Sequence, residues 1–173
     1  MSNQAKNATA ARSLEPTPAP PSVGPSPTAG PDGAVQFAGV TVASALDLTS
    51  KPAVTAHHTD PAPGLLVDDL VTGTGAPATP TSTVQVQYVG ALYSDGSEFD
   101  TTWGSGQPAT FSLTQVVAGF AQGIGGTDGV PPMRAGGRRL MVFPAALGYG
   151  AVPQQAIPAH SSLVFVVDLQ QVS

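Results

Sequence analysis

The alternation of apolar and polar positions is clearest over residues 83–93 (TVQVQYVGALY). Val84, Val86 and Tyr88 fall on one face there, and Gln85 and Gln87 on the other. That period of two predicts a half-buried strand. Ser94-Asp95-Gly96 is a hairpin turn signal, and residues 97–101 (SEFDT) restart a strand beyond it. Residues 162–170 (SLVFVVDLQ) predict the last strand, with Leu163, Phe165, Val167 and Leu169 on one face. Arg138 to Phe143 reads as a strand leaving the Gly136-Gly137 pair and closed by Pro144, which has no N–H for a ladder. Residues 65–72 and 108–113 add two more. Weaker strands are expected over 34–42 and over 51–55, where Pro52 places the segment at an edge or a strand start. One segment changes period: over 115–124, Val116, Val117, Phe120 and Ile124 form a helical stripe. The pattern predicts an α+β fold, a mostly antiparallel sheet with a single short helix.

Ahead of this pattern, residues 1–34 carry almost no large apolar side chains and are rich in Pro, Ala, Ser and Thr. Such a segment buries too little surface to offset the entropy of ordering, so a disordered tail is expected over 1–34. Residues 35–64 read as an N-terminal extension with one or two short strands, and 65–173 as the main domain. The tail has the composition of a tether between a folded domain and an anchor or cleaved signal. An extracytoplasmic location is therefore expected over a cytoplasmic one, although the chain as given has no signal-like apolar segment.

Composition removes several function classes. The formal net charge is −5 over 173 residues, which argues against a nucleic-acid partner. No apolar run approaches the roughly 18 residues of a membrane span. The absence of cysteine excludes disulfides, thiol catalysis and zinc–thiolate sites. His57, His58 and Asp60 invite a metal reading, but adjacent strand histidines diverge and no third ligand is near. Asp68 and Asp69 diverge likewise and read as solvated. Asp95, Glu98 and Asp100 lack calcium-loop spacing, leaving a turn and one inward acid. The Gly-rich stretch 125–132 lacks the Lys-Ser/Thr of a phosphate cradle. Arg134, Arg138 and Arg139 read as solvated strand-edge charges. No cofactor and no metal are expected.

Four ordered stretches carry a resemblance. Gly136-Gly137-Arg138-Arg139-Leu140-Met141-Val142-Phe143-Pro144, continuing to Leu147-Gly148-Tyr149-Gly150, resembles the signature of the macrolide-binding FKBP family of peptidyl-prolyl isomerases. Val86-Gln87-Tyr88-Val89-Gly90 is similar to its V-x-Y-x-G strand, and Asp95 to Thr102 to its D-G-x-x-F-D-S-S segment. Residues 116–123 resemble its short helix, and Ile157 to Phe165 its final loop and strand. The resemblance spans about residues 65–172. It implies an FKBP-like half-barrel sheet wrapped around the helix.

It also implies a site. Tyr88, Phe99, Asp100 and Tyr149 would carry catalysis, and Phe111, Val116, Val117, Phe120, Ile157 and Phe165 would bind substrate. The proline ring would sit over Phe120, with the Ile157 N–H and the Tyr149 hydroxyl on substrate carbonyls and Asp100 bonded to Tyr88. By its own residues, the 150–161 segment reads as a long loop with two prolines and as the lid of the site. Phe120 stands where many members have Trp, and Ala109 where some have Phe. The activity implied is peptidyl-prolyl cis–trans isomerisation that assists folding. Proline-containing chains would be substrates, macrolides inhibitors, and the protein a monomer. The alternatives are a non-catalytic module that grips Pro-containing segments and a surface-anchored structural domain.

Overall fold

The computed structural model describes residues 28–29, for which only the backbone is considered, 33–57 and 60–173. Its main layer is a six-stranded antiparallel sheet. In chain order its strands are β5 (Leu66–Val71), β6 (Thr83–Leu92), β7 (Glu98–Thr101), β8 (Ala109–Ser112), β9 (Arg138–Phe143) and β10 (Leu163–Val172). The spatial order is β5-β9-β10-β6-β7, and β8 pairs with the first half of the long strand β6. The single α-helix among the described residues, α1 (Ala118–Gly125), lies on one face of the sheet. This is the architecture expected from the sequence, but the helix starts later than its apolar stripe. Val116 and Val117 are in the approach to it, and Val117 is its extended N-cap.

α1 reads AGFAQGIG, a poor helix by intrinsic propensity. Its glycines are explained by what lies beneath them. A Cβ at Gly119 would come within 2.4 Å of the Phe143 ring, and one at Gly123 within 2.0 Å of the Met141 sulfur. Four residues apart, the two glycines share a helix face and let the helix settle directly on β9.

The opposite face of the sheet is also covered. β1 (Thr28–Ala29), β2 (Val35–Phe37), β3 (Val40–Ala43) and β4 (Ala53–Ala56) form a separate four-stranded antiparallel sheet. The single strand expected over 34–42 is instead a hairpin, turned at Ala38 and Gly39, both at positive φ (54° and 78°). Val35, Phe37, Val40 and Val42 pack on Leu66, Leu140, Val142, Val164 and Val166 of the main sheet. Most of the expected tail lies outside the described residues. Within it, Thr28–Ala29 pairs with Val35 and Gln36, because a backbone ladder requires no apolar side chains.

The reading of Arg138 and Arg139 as solvated is wrong, since they are 0% and 2% exposed. Adjacent on one strand, they leave it on opposite faces. Arg138 forms a bidentate pair with Asp168 (2.5 and 2.8 Å) on the side of the N-terminal sheet. There its guanidinium also donates to the carbonyls of Ser44 (2.8 Å), Ala45 (3.4 Å) and Ser50 (3.1 Å). Burial pushes the Asp168 carboxyl up, and the guanidinium opposes that shift. Arg139 pairs with Asp69 (2.6 and 3.0 Å) on the helix side and donates to the carbonyls of Gly123 and Pro131. Asp69 is therefore paired rather than simply solvated. Half-buried Asp68 has its carboxyl raised, first by burial and then by Asp69. Arg134 is exposed and donates to the Gly75 carbonyl at 3.0 Å.

Trp103, the sole tryptophan, lies under the Arg138 guanidinium at 5.9 Å from the ring centroid. Arg138→Ala would strand a buried carboxylate and three carbonyls. The expected loss of stability is about 3–5 kcal/mol, read by urea unfolding, with red-shifted Trp103 emission before global unfolding as the N-terminal sheet loosens. An unchanged midpoint would show that the pair holds nothing together.

Candidate active site

Aromatic side chains from separate elements converge at one end of the helix. β6 supplies Tyr88, β7 Phe99 and Asp100, β8 Phe111, and β10 Phe165. The approach to α1 supplies Val116 and Val117, and the helix itself Phe120. The loop after β9 supplies Tyr149. Together with Gln115 these residues line a cavity of about 330 Å³. A larger pocket, about 610 Å³, is lined by Asp60, Pro61, Tyr93, Ser94 and residues of the 144–146 and 158–162 segments. It contains one tyrosine and no aromatic cluster, so the smaller cavity is the better formed site.

The rings hold one another at angles. Phe120 sits edge-on to Phe165 (5.2 Å, 74°), to Phe111 (5.7 Å, 80°) and to Tyr88 (6.0 Å, 75°). Phe99 meets Phe165 edge-on at 5.6 Å, and Phe143 stacks against Phe165 at 5.6 Å. Such tilted pairs are the favoured aromatic geometry, and they hold the cavity walls without filling its mouth. Gly90 makes the wall possible: a Cβ there would come within 2.8 Å of Phe99 and 2.9 Å of Phe165. This explains the glycine two residues after Tyr88 in the strand motif.

The polar lining comes from Tyr88, Asp100, Tyr149 and Gln115. The Tyr88 hydroxyl donates to the Asp100 carboxylate, as expected from the sequence. Tyr149 is at the rim, 37% exposed. Ile157 is the one expected site residue that does not line the cavity. Its side chain is buried in the core behind it, and its N–H donates to Gln154 O at 3.2 Å within a tight turn of the 150–161 loop. Gln115, which lines the cavity, was not anticipated. It lies next to Val116 and Val117 in the approach to the helix, and its polarity hid it from a search for apolar lining.

The site holds no nucleophile–base pair. Among the described residues no cluster of His, Asp or Glu could hold a metal. His57 is exposed beyond β4, and His58 lies outside the described residues. What remains is a low-polarity cup with two phenol hydroxyls, a carboxylate and an amide at its edge. Burial, and secondarily the Asp100 hydrogen bond and charge, raise the Tyr88 phenol far above its ordinary value of 10.0. Its folded-state value thus exceeds its unfolded value. Its contribution to stability is complete below pH 10 and is lost as pH rises toward the folded value. Tyr88→Phe is expected to flatten the decline in melting temperature above pH 10. Asp100→Asn is expected to lower the phenol's value while leaving it above 10, since burial is the larger cause. Spectrophotometric tyrosine titration checks both, and an ordinary Tyr88 titration in wild type would refute the buried assignment.

With this geometry in hand, the comparisons with known proteins are specific. The family model for FKBP-type peptidyl-prolyl cis-trans isomerase matches residues 75–170. An FK506-binding protein of Streptomyces anulatus is 38% identical over 123 residues, covering 69% of this chain and 94% of that one. A probable FK506-binding protein of Corynebacterium glutamicum is 38% identical over 110 residues, covering 63% of this chain and 88% of the other. The isomerase FkpA of Escherichia coli is 36% identical over 109 residues, but there the match spans only 38% of the longer relative. Among solved structures, AtFKBP13 superposes with a TM-score of 0.60 at 34% identity, covering 65% of this chain and 96% of its own. The matched segment contains the cup and the Tyr88–Asp100 pair, and the chain belongs to the FKBP-type peptidyl-prolyl cis-trans isomerases.

Proposed function

We propose that the aromatic cup is where this isomerase binds proline, and that the carrying observation is the set of edge-on rings around Phe120. Isomerisation at an Xaa-Pro bond must overcome partial double-bond character, a barrier of about 18–20 kcal/mol. Twisting the amide withdraws charge from the carbonyl oxygen and localises the lone pair on nitrogen. A dry cup favours this less polar twisted amide over the planar one, which water solvates better. The catalysis is therefore differential binding of the transition state. It needs no covalent intermediate.

In this reading the prolyl ring lies over Phe120, walled by Phe99, Phe165, Val116 and Val117. The Tyr149 hydroxyl, exposed at the rim, reaches a substrate carbonyl. Asp100 holds the Tyr88 phenol at the polar edge. The Ile157 N–H takes a second carbonyl once its long turn bond to Gln154 opens. Macrolides of the pipecolyl type fit the same cup as competitive inhibitors. In this reading the working unit is a monomer. The Pro/Ala/Ser/Thr composition of residues 13–33 supports an extracytoplasmic location, and cell fractionation with the native gene tests it.

The test is the cis-to-trans relaxation of a short Leu-Pro peptide. Wild type is expected to accelerate it, and a pipecolyl macrolide to abolish the acceleration. Phe99→Ala should lower kcat/KM by about tenfold or more, and Tyr149→Phe by less, since a rim hydrogen bond is exchanged with water. Binding of peptide and macrolide without acceleration would leave only a proline-gripping module. Unaltered kinetics in Phe99→Ala would move the site elsewhere.

A further inference from the structure

The Tyr88 side chain is held by Asp100, and its main chain is held by the two residues that follow Asp100. The buried Thr102 hydroxyl accepts the Tyr88 N–H at 2.9 Å and donates onward to the Gln87 side-chain oxygen. The Tyr88 carbonyl accepts from the Thr102 N–H at 3.1 Å and from the Thr101 hydroxyl at 2.9 Å. Both ends of Tyr88 are thus tied to one three-residue segment, in a closed circuit from phenol to carboxylate to backbone and back.

The circuit is placed where the sheet itself gives little support. β7 pairs with β6 at only Val89–Thr101, Gly90–Asp100 and Ala91–Glu98, with a register shift between the last two. Thr101 is its final residue, and Thr102 lies past its end. The Tyr88 N–H is therefore satisfied by a side chain there. A hydroxyl that both accepts and donates is required. Serine or threonine meets this requirement, and an isosteric valine cannot.

We propose that Thr102 is a positioning residue for catalysis, setting the angle at which the Tyr88–Asp100 pair faces the cup. This rests on the proline-binding reading of that cup. Thr102 itself does not line the cavity, so its effect on substrate passes through Tyr88.

The experiment uses the full chain with Thr102→Val and Thr102→Ser, and Gln87→Met as a second route to the same hydroxyl. Proton NMR follows the hydrogen-bonded Tyr88 hydroxyl and the Tyr88 amide, alongside kcat and KM for a Leu-Pro peptide. Thr102→Val is expected to lower kcat/KM by about 5- to 20-fold, mainly in kcat. It should also shift the Tyr88 hydroxyl resonance and speed exchange of the Tyr88 amide. Thr102→Ser should restore both readouts to within about twofold of wild type. Gln87→Met, which leaves the Thr102 hydroxyl without its acceptor, should shift the same resonance in the same direction. A folded Thr102→Val with reduced melting temperature but unchanged kcat/KM and hydroxyl resonance would make Thr102 merely structural and overturn the proposal. Should Thr102→Val not fold, an unmoved resonance and rate in Gln87→Met would overturn it equally. Wild type without turnover would end the reading of the cup instead, and the Tyr88 resonance would still decide whether Thr102 positions the pair.

Discussion

Two neighbouring guanidiniums organise this molecule. Because successive side chains on a strand point to opposite faces, Arg138 and Arg139 carry one buried charge to each side of the main sheet. Each meets a carboxylate on an adjoining strand, Asp168 on β10 and Asp69 on β5. Each then spends its remaining donors on the carbonyls of whatever covers that face. On one side these belong to the 44–50 segment of the N-terminal sheet, on the other to the helix C-terminus and the loop beyond it. Desolvating such charges is expensive, and only this degree of satisfaction makes it tolerable. The arrangement gives register more than raw stability: it fixes which loop and which helix end sit over β9.

Fixing the helix end also fixes the cup at its other end. Gly119 and Gly123 bring α1 down onto Phe143 and Met141, and that depth sets the height of Phe120 among its neighbours. The chemistry asks for no more than a shaped, weakly polar cavity. Conformational catalysis on an amide uses the walls themselves, so precision lies in ring placement and in the single phenol–carboxylate pair at the edge.

Much of this was legible in the chain. The period-two pattern of 83–93 gave β6, its Tyr88-x-Gly90 spacing reflects the close approach of Phe99 and Phe165, and the resemblance placed the cup. The arginines were misread because charge was taken as a sign of solvent. A better signal was available in their context. Leu140–Phe143 and Leu163–Val167 are unbroken apolar runs with no polar alternation. An unbroken run of that kind means a strand covered on both faces. The hairpin at Ala38-Gly39 was missed because a residue at positive φ other than glycine gives little warning. Ile157 enters the site reading through its backbone N–H, and motif spacing carries no information about which way its side chain turns within the loop.

The double covering of the sheet separates two boundaries that usually coincide. The family model begins at residue 75, but β5, with its Asp69 partner for Arg139, lies before it, as does the entire sheet over Leu140, Val142, Val164 and Val166. A fragment cut where the family model starts would keep the cup and lose its back. It would present a bare aliphatic face to water, deprive Arg139 of Asp69 and deprive Arg138 of the Ser44, Ala45 and Ser50 carbonyls, conditions that favour self-association. The segment that the family model spans is thus smaller than the unit that packing ties together in this chain.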